Sequence, residues 1–549
     1  MQRNFFERIL INRVAEVLPF TEAQAGARKG RSTAGQAFIL KTILHMRVSE
    51  KQPTYLAFLD VKKAYDKVWK AAVLVTLWER GIRGKMWRLL RLLNIGLVTK
   101  VATRFGLTKE VHIEESLRQG GVASGIEFAA LMDTAEEELQ KEELGVYMGG
   151  VLVSSLILMD DIILIAPSPE VLQSMLNTIN RLAMRWHLTF SQEKSKIMIV
   201  NGPSATRPER QWTLGSLVLE ECSQYTYLGE VIDRNLSIKQ HLTHLKSRSF
   251  VVSTTMFGIA TDDILNKMKL PTLLQLYQTC WVQAILYNSE TWTLQQSEIS
   301  QIQQMQLSLL RRILKIPKSA PRAAIFSDLG VQPIMYSIHT RQLMFLHKLI
   351  CADDLPSHAL RHQIDNNKPG SWFVMSIQPI LRRYKLPESM WKIQGIPKPR
   401  WKRMVSRAVF SHFEKWYTEE ASKSTKMINV LRHKTTPVRE KYVETLSRNQ
   451  AAAIFRIRYG VTLQQANMGT TAPICSRCKD GVATDSHALT RCPALEELRD
   501  GLELGSMQDI YGASDMDLLK RCADFAYKAG MVPEWIADGL VAAQDKLPE

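Results

Sequence analysis

Residues 151–166 read VLVSSLILMDDIILIA, two apolar runs rich in β-branched residues and leucine, Val151 to Met159 and Ile162 to Ala166, around the acids Asp160 and Asp161. Such a pattern reads as strand, tight turn and second strand, with both carboxylates where a hydrophobic hairpin turns. Carboxylates held against apolar strands are costly unless something offsets their charge, and two adjacent ones repel. A divalent cation is the usual remedy, because hard cations such as Mg²⁺ take carboxylate oxygens and a pair of them can clamp a phosphoryl displacement. An ordinary solvated hairpin turn reads the same way on this stretch alone. A second carboxylate site would separate the two.

That second site is Asp60. Residues 54–59, TYLAFL, form a buried strand that delivers it, and Val61 to Trp69 then turn towards helix through Ala64, Tyr65 and Asp66. The two acid sites can meet only if their strands are sheet neighbours. Between them, residues 71–98 are largely helical with breaks near Gly81 and Gly84, and Trp78, Trp87 and Leu90 fall on core positions. Two glycine-containing stretches complete this part. QAGARKGRSTAGQ, Gln24 to Gln36, is a basic loop running into a helix, and offers side-chain and backbone donors to phosphate. RQGGVASG, Arg118 to Gly125, lets backbone approach a ligand and carries Gln119 as a donor and acceptor.

The charge balance bears on the partner. Lys and Arg number 71 against 54 Asp and Glu, a formal charge of +17 over 549 residues, which favours a polyanion. No run approaches 18 uninterrupted apolar residues, so a membrane span is not expected. The first helix has charges scattered at helical spacing and does not read as a signal peptide. Seven cysteines, three of them clustered late, do not make a disulfide framework and suggest a reducing compartment.

Taken together these residues resemble the reverse transcriptases of LINE-type (non-LTR) retrotransposons. FLDVKKAYD, Phe58 to Asp66, is similar to that family's first carboxylate motif, RQGGVAS to its Gln-Gly motif, LMDD, Leu158 to Asp161, to its Asp-Asp box, and QAGARKGRST to its finger motif. LTFSQEKSK, with Lys194, resembles the next palm motif, and YTYLG, Tyr225 to Gly229, the primer grip. YNSETW, Tyr287 to Trp292, and SDLGVQP, Ser327 to Pro333, resemble the region that follows the polymerase core.

The resemblance implies an α+β fold: a right-hand polymerase palm with partial fingers over residues 1–235, a helical thumb over 236–330 and a basic helical connection over 331–465. A zinc knuckle over 466–500 and a helical tail over 501–549 complete the mostly helical C-terminal region. It implies RNA-directed DNA polymerisation from a DNA primer or target on an RNA template with deoxynucleoside triphosphates, and Asp60, Asp160 and Asp161 around two Mg²⁺. Tyr65 would exclude a 2′-hydroxyl, Gln119 and Gly120 would face nucleotide and template, Arg28 and Arg31 would meet phosphate, and Lys194 would protonate the leaving pyrophosphate. A nuclear site of action, or a cytoplasmic ribonucleoprotein, is implied and secretion is not. The sequence departs from the pattern at Leu158, where an aromatic is common, Gly125 for Pro, Ala27 for Phe and Ser191 for Asn. Family members carry further finger sequence upstream, so the competing expectation is a truncated, catalytically silent nucleic-acid-binding remnant.

Two later stretches carry chemistry of their own. KPRWKRMVSR, Lys398 to Arg407, sets Trp401 among cations that could hold phosphates while the ring stacks on a base; a solvated basic helix reads equally well. CSRCKDGVATDSHALTRC presents Cys475, Cys478, His487 and Cys492 as C-x2-C-x8-H-x4-C, the donor set of one structural, tetrahedral Zn²⁺.

Overall fold

The computed structural model describes residues 2–112, 115–118, 120–202, 211–258, 268–366, 371–464 and 473–533. They form two compact units. One comprises Met1–His241 with Glu290–Thr293 and Phe345–Pro379, the other Leu242–Ser289, Leu294–Met344 and Ile380–Glu549.

The first unit is built on a six-stranded sheet in the order Trp212–Leu214, Leu217–Glu221, Lys196–Val200, Thr54–Asp60, Asp161–Ala166, Ser155–Leu158. Thr54–Asp60 is central and pairs antiparallel with both its neighbours. Six of its seven residues are buried, as its unbroken apolar run requires. Alternation along the strand sorts its faces. Tyr55, Ala57 and Leu59 join the core formed with helices Val122–Lys141 and Pro169–Trp186. Phe58 and Asp60 point to the other face, where Phe58 stacks on Tyr225 at 4.1 Å between centroids.

The acidic hairpin differs in detail from the sequence expectation. Its first run is interrupted at Ser154, so Val151–Val153 pairs with Val146–Met148 and only Ser155–Leu158 belongs to the main sheet. The buried carboxyl of Glu136, on the helix behind, accepts from the Ser154 backbone N–H at 3.4 Å and the Ser155 hydroxyl at 2.5 Å. The helical stretch after Asp60 does break at Gly81 and Gly84, both with positive φ, between helices Lys70–Glu79 and Gly84–Asn94. Leu90 is core, but Trp78 is 45% exposed, beneath the Arg83 guanidinium at 4.2 Å, because its helix ends at the surface.

Residues 345–379 pack within this unit against helix Thr33–Ser49. Phe38 meets Phe345 and Phe373 edge-on at 5.6 and 5.1 Å, and His45 stacks on Trp372 at 5.2 Å.

The second unit is helical among the described residues, and its core is polar at one point. Asp328 is fully buried and accepts from Tyr442 (2.7 Å), Tyr459 (2.9 Å), Arg458 (3.0 Å) and Lys434 (3.1 Å). A buried carboxylate persists only when its lone pairs are filled in this way, and the two cations hold it below the ordinary carboxyl range against the opposing effect of burial. No helix among the described residues is long and apolar enough to cross a membrane.

Candidate active site and metal centre

Sheet register brings the two acid sites together. Asp60 lies directly across from Asp161, and Leu158 faces Asp161 on the other side, which leaves Met159 and Asp160 as a two-residue loop. Asp161 is thus the first residue of the returning strand, while Asp160 is carried by the turn. Like charges directly opposite on neighbouring strands destabilise a sheet, so a cluster of this kind asks for a cation.

Electrostatics report the same strain. Burial, then the neighbouring carboxylates of Asp160 and Asp60, push the Asp161 carboxyl up to about 6, and Lys194 only partly opposes them. Asp160 is also raised, by burial first and Asp60 among the further causes. Tyr225 is pushed up to about 12 by burial and by Asp161 and Asp60, which places its ring at the rim of the carboxylate cluster. Lys194 Nζ stands 3.5 Å from Asp60 on a side chain that is 69% exposed, and the Ser195 hydroxyl accepts from the Asp60 backbone N–H at 3.2 Å.

The turn itself is held in an uncommon conformation. Met159 has φ +63°, a region that ordinary side chains seldom occupy and that persists when surroundings enforce it. They do so through the QAGARKG loop. Ala25 N–H donates to Ile157 C=O at 2.8 Å and Ile157 N–H to Ala23 C=O at 3.0 Å, so the loop runs as an extra rung along the hairpin strand. Gly26 then lies against Met159, where a Cβ would stand 2.4 Å from the sulfur.

The remaining sequence candidates fall as follows. Tyr65 stacks on Phe128 at 5.2 Å, and burial followed by Asp160 raises its hydroxyl, so it borders the acids. Gly120 has φ +77° with open space where a Cβ would go; its backbone angle, not crowding, calls for glycine. Gln119 lies outside the described residues. Arg28 donates to the Thr21 and Gln24 carbonyls at 2.6 and 2.8 Å, and Arg31 pairs with Glu22 at 2.6 Å and Asp354 at 3.0 Å. The structure thus gives both guanidinium groups internal acceptors, and Lys29 between them is exposed. Trp401 cannot stack on a base from where it sits: its indole is fully buried and donates to Leu343 C=O at 3.0 Å. Just before that basic stretch, Trp391 is 72% exposed.

Sequence reasoning passed over Glu7, whose carboxylate accepts from the Val122 and Ala123 backbone N–H groups at 2.7 and 3.4 Å and caps the helix that follows RQGG. No spacing signal links residues 115 positions apart. Gly26 did carry a signal, as a glycine within a basic loop, but its contact was not readable.

In the second unit the ligand atoms of Cys475, Cys478, His487 and Cys492 all lie within 4.8 Å of one another. Gly481, φ +78°, turns the chain so closely over His487 that a Cβ would lie 3.0 Å from its ring. Thr484 caps the short helix carrying His487 by accepting from the His487 backbone N–H at 3.0 Å. Burial opposes ionisation of Cys475, but the Cys478 and Arg477 backbone N–H groups and the Cys478 and His487 side chains bring its thiol down to about 6. Three sulfurs and one imidazole at this spacing fit a closed Zn²⁺ site.

Residues 4–232 match the family model described as reverse transcriptase (RNA-dependent DNA polymerase). The RNA-directed DNA polymerase from mobile element jockey of Drosophila funebris is 23% identical over 339 residues, 60% of this chain and 36% of that protein. The Pol polyprotein from type-1 retrotransposable element R2 of Nasonia vitripennis is 26% identical over 174 residues, 32% of this chain and 17% of that one. The probable RNA-directed DNA polymerase from transposon X-element of Drosophila melanogaster is 19% identical over 63% of this chain and 38% of its own length. The chain therefore spans well under half the length of these relatives.

Proposed function

We propose, from the match of residues 4–232 to the reverse transcriptase family model, that this chain is the polymerase part of a non-LTR retrotransposon protein, extending a DNA 3′ end along an RNA template with deoxynucleoside triphosphates. The observation that carries the reading is the register that sets Asp60 across from Asp161 beside a turn bearing Asp160.

All donors in this cluster are carboxylate oxygens and the cluster repels itself, which suits hard divalent cations, Mg²⁺ foremost. Asp60 and Asp160 would hold two such ions with Asp161 as the less direct ligand, and the ions would supply Lewis-acid stabilisation of the charge that builds in phosphoryl transfer. The chain's own groups do the rest. Tyr65, kept in place by Phe128, sets its ring against the sugar of the incoming nucleotide and leaves no room for a 2′-hydroxyl. Gly120 lets backbone come close to that nucleotide. Lys194, whose exposed ammonium stands 3.5 Å from Asp60, donates a proton to the departing pyrophosphate. Tyr225, fixed on Phe58, carries the Leu228–Gly229 turn, both residues at positive φ, towards the primer.

In the second unit, Cys475, Cys478, His487 and Cys492 would hold a structural Zn²⁺, which would close the segment from Ile474 to Cys492. Lys392, Lys398, Arg400, Lys402, Arg403 and Arg407 are exposed near Trp391, itself 72% exposed, and together suit RNA.

The test is primer extension on an RNA template in Mg²⁺, comparing this chain with its Asp160→Ala, Asp161→Ala double variant. Incorporation by the first and none by the second is expected. A folded, zinc-loaded and RNA-binding preparation that incorporates nothing would replace this reading with a nucleic-acid-binding role.

A further inference from the structure

Between the Tyr65 loop and the helix that begins at Val122 the chain leaves the core and returns. It runs out through helix Gly84–Asn94, whose inner side is fixed by buried Leu90 and by Asn94, which donates to Glu127 at 2.7 Å. It then forms a narrow two-stranded ribbon in which Val98–Thr99 pairs with Val111–His112 and Ala102–Thr103 with Gly106–Leu107. Arg104 and Phe105 make the tip, and Gly106, φ +117°, closes it.

Every residue from Val98 to His112 is exposed. Phe105 is 85% exposed, with only the Arg104 guanidinium over its ring at 4.6 Å, and Val101, Leu107 and Val111 are each more than half exposed. A two-stranded ribbon with no buried face is marginal in water. Its charge says what would cover it. From Arg83 to His112 the chain has seven cations, Arg83, Lys85, Arg88, Arg91, Lys100, Arg104 and Lys109, against Glu110 as its one acid. This window carries about a third of the formal +17 of the whole chain.

The ribbon's root lies beside the carboxylate site. Ser116 N–H donates to Val68 C=O at 3.0 Å and Leu117 N–H to Tyr65 C=O at 2.8 Å, so the returning strand is bonded to the loop that presents Tyr65. Whatever the ribbon grips is thereby coupled to the loop five residues beyond Asp60.

We propose that this ribbon, with the outer side of helix Gly84–Asn94, grips the phosphodiester backbone of the template–primer, with Phe105 stacking on an unpaired base at its tip. The assignment rests on the polymerase reading for the identity of the nucleic acid, but not for the grip itself. Cations on a polar ribbon bind phosphate without reading sequence, and an exposed aromatic adds a contact that salt does not screen.

The experiment measures affinity of the full, zinc-loaded chain for a fluorescent RNA–DNA template–primer with a single-stranded overhang, with no added Mg²⁺ and no chelator, across a salt series. The Lys100→Ala, Arg104→Ala, Lys109→Ala triple variant should bind at least tenfold more weakly at low salt. Its slope of log affinity against log salt should shrink by about 2 to 3, since each lost phosphate contact removes up to about 0.9. Phe105→Ala should weaken binding severalfold with its slope unchanged, and only when the overhang is present. On a heparin trap the triple variant should give shorter products per binding event. Wild-type affinity and slope in the triple variant, with circular dichroism unchanged, would overturn the proposal. Because binding is read without Mg²⁺, failure of the wild-type chain to incorporate nucleotides counts against the polymerase reading and leaves this one to be decided by the slopes. A DNA–DNA duplex run in parallel separates a backbone grip, which loses the same slope, from one specific to the RNA strand.

Discussion

Gly26 lies against Met159 so closely that a Cβ on the glycine would stand 2.4 Å from the methionine sulfur and 2.8 Å from Gln24 Oε1. The finger loop is therefore pressed on the residue whose positive φ shapes the loop bearing Asp160. Gly26→Ala must displace either the flexible Met159 side chain or Gln24, whose Oε1 accepts from the Gly26 N–H at 2.7 Å. We expect a folded protein destabilised by about 1–3 kcal/mol with primer extension reduced on the order of tenfold. Urea unfolding and steady-state extension measure the two. Unchanged activity would show that the turn does not depend on this contact.

The Asp161 carboxyl, held near 6 by burial and its acidic neighbours, is partly protonated in slightly acid solution when no cation is bound. Divalent cations bind the ionised form, so Mg²⁺ binding should release a proton below about pH 6 and weaken as pH falls further. Calorimetry in two buffers of different ionisation enthalpy, at pH 6 and pH 8, measures this release. Proton release equal at both values would contradict it. Asp161→Asn should abolish both the release and extension.

Glu136 gives a second pH dependence, one of stability. Burial pushes its carboxyl up to about 7 although Ser155, Ser154 and Gln140 all donate to it. The folded state thus favours the protonated acid, so its contribution is complete below the ordinary value near 4.5 and is lost as pH rises through 7. The whole effect is about 3 kcal/mol. Urea midpoints should decline from pH 5 to pH 8 in the wild type and much less in Glu136→Gln. Parallel pH profiles for the two proteins would remove Glu136 as the cause.

Asp328 and Arg458 are both fully buried, 3.0 Å apart. Asp328→Ala leaves Arg458 and Lys434 buried with Glu440 as their shared carboxylate and strands the Tyr442 and Tyr459 hydroxyls, and we expect a loss of about 3–5 kcal/mol or failure to fold. Asp328→Asn should be milder, since it fills the same space and its one amide oxygen keeps an acceptor for either Tyr442 or Tyr459. A milder Asp328→Ala than Asp328→Asn would mean the charge is a burden and not a brace.

For the zinc site, Cys478→Ser and His487→Ala should each drop bound zinc from one equivalent towards none, read by metal analysis, and expose the segment between Ile474 and Cys492 to trypsin at Lys479 and Arg491. Gly481→Ala should weaken zinc retention through its strained φ and its contact with His487. Retention of one equivalent by Cys478→Ser would identify a different ligand set.

The strands flanking Asp60 and the two adjacent acids were legible because an unbroken apolar run bounded by a charge is a local pattern, and so was the C-x2-C-x8-H-x4-C spacing, which lies within one short loop and helix. The Gly81 and Gly84 break was legible for the same reason. The bracing of Arg28 and Arg31 was not, because Glu22 is near in sequence but Asp354 is some 320 residues away, and nothing local says a basic loop is already neutralised. Trp401 misled for a related cause: its neighbours in sequence are cations, while it lies on the buried side of its helix and bonds to Leu343, 58 positions away.

By itself, then, the sequence determined which segments are buried strands, where the acids stand on them and which four side chains can close round zinc, since each depends on alternation or spacing over a few residues. Only the tertiary structure decided that Asp60 faces Asp161, that Gly26 shapes the turn before Asp160 and that residues 98–112 stand clear of any core. Those outcomes rest on strand register and on packing between distant segments, where hydrogen bonds and contacts join residues that no local pattern couples.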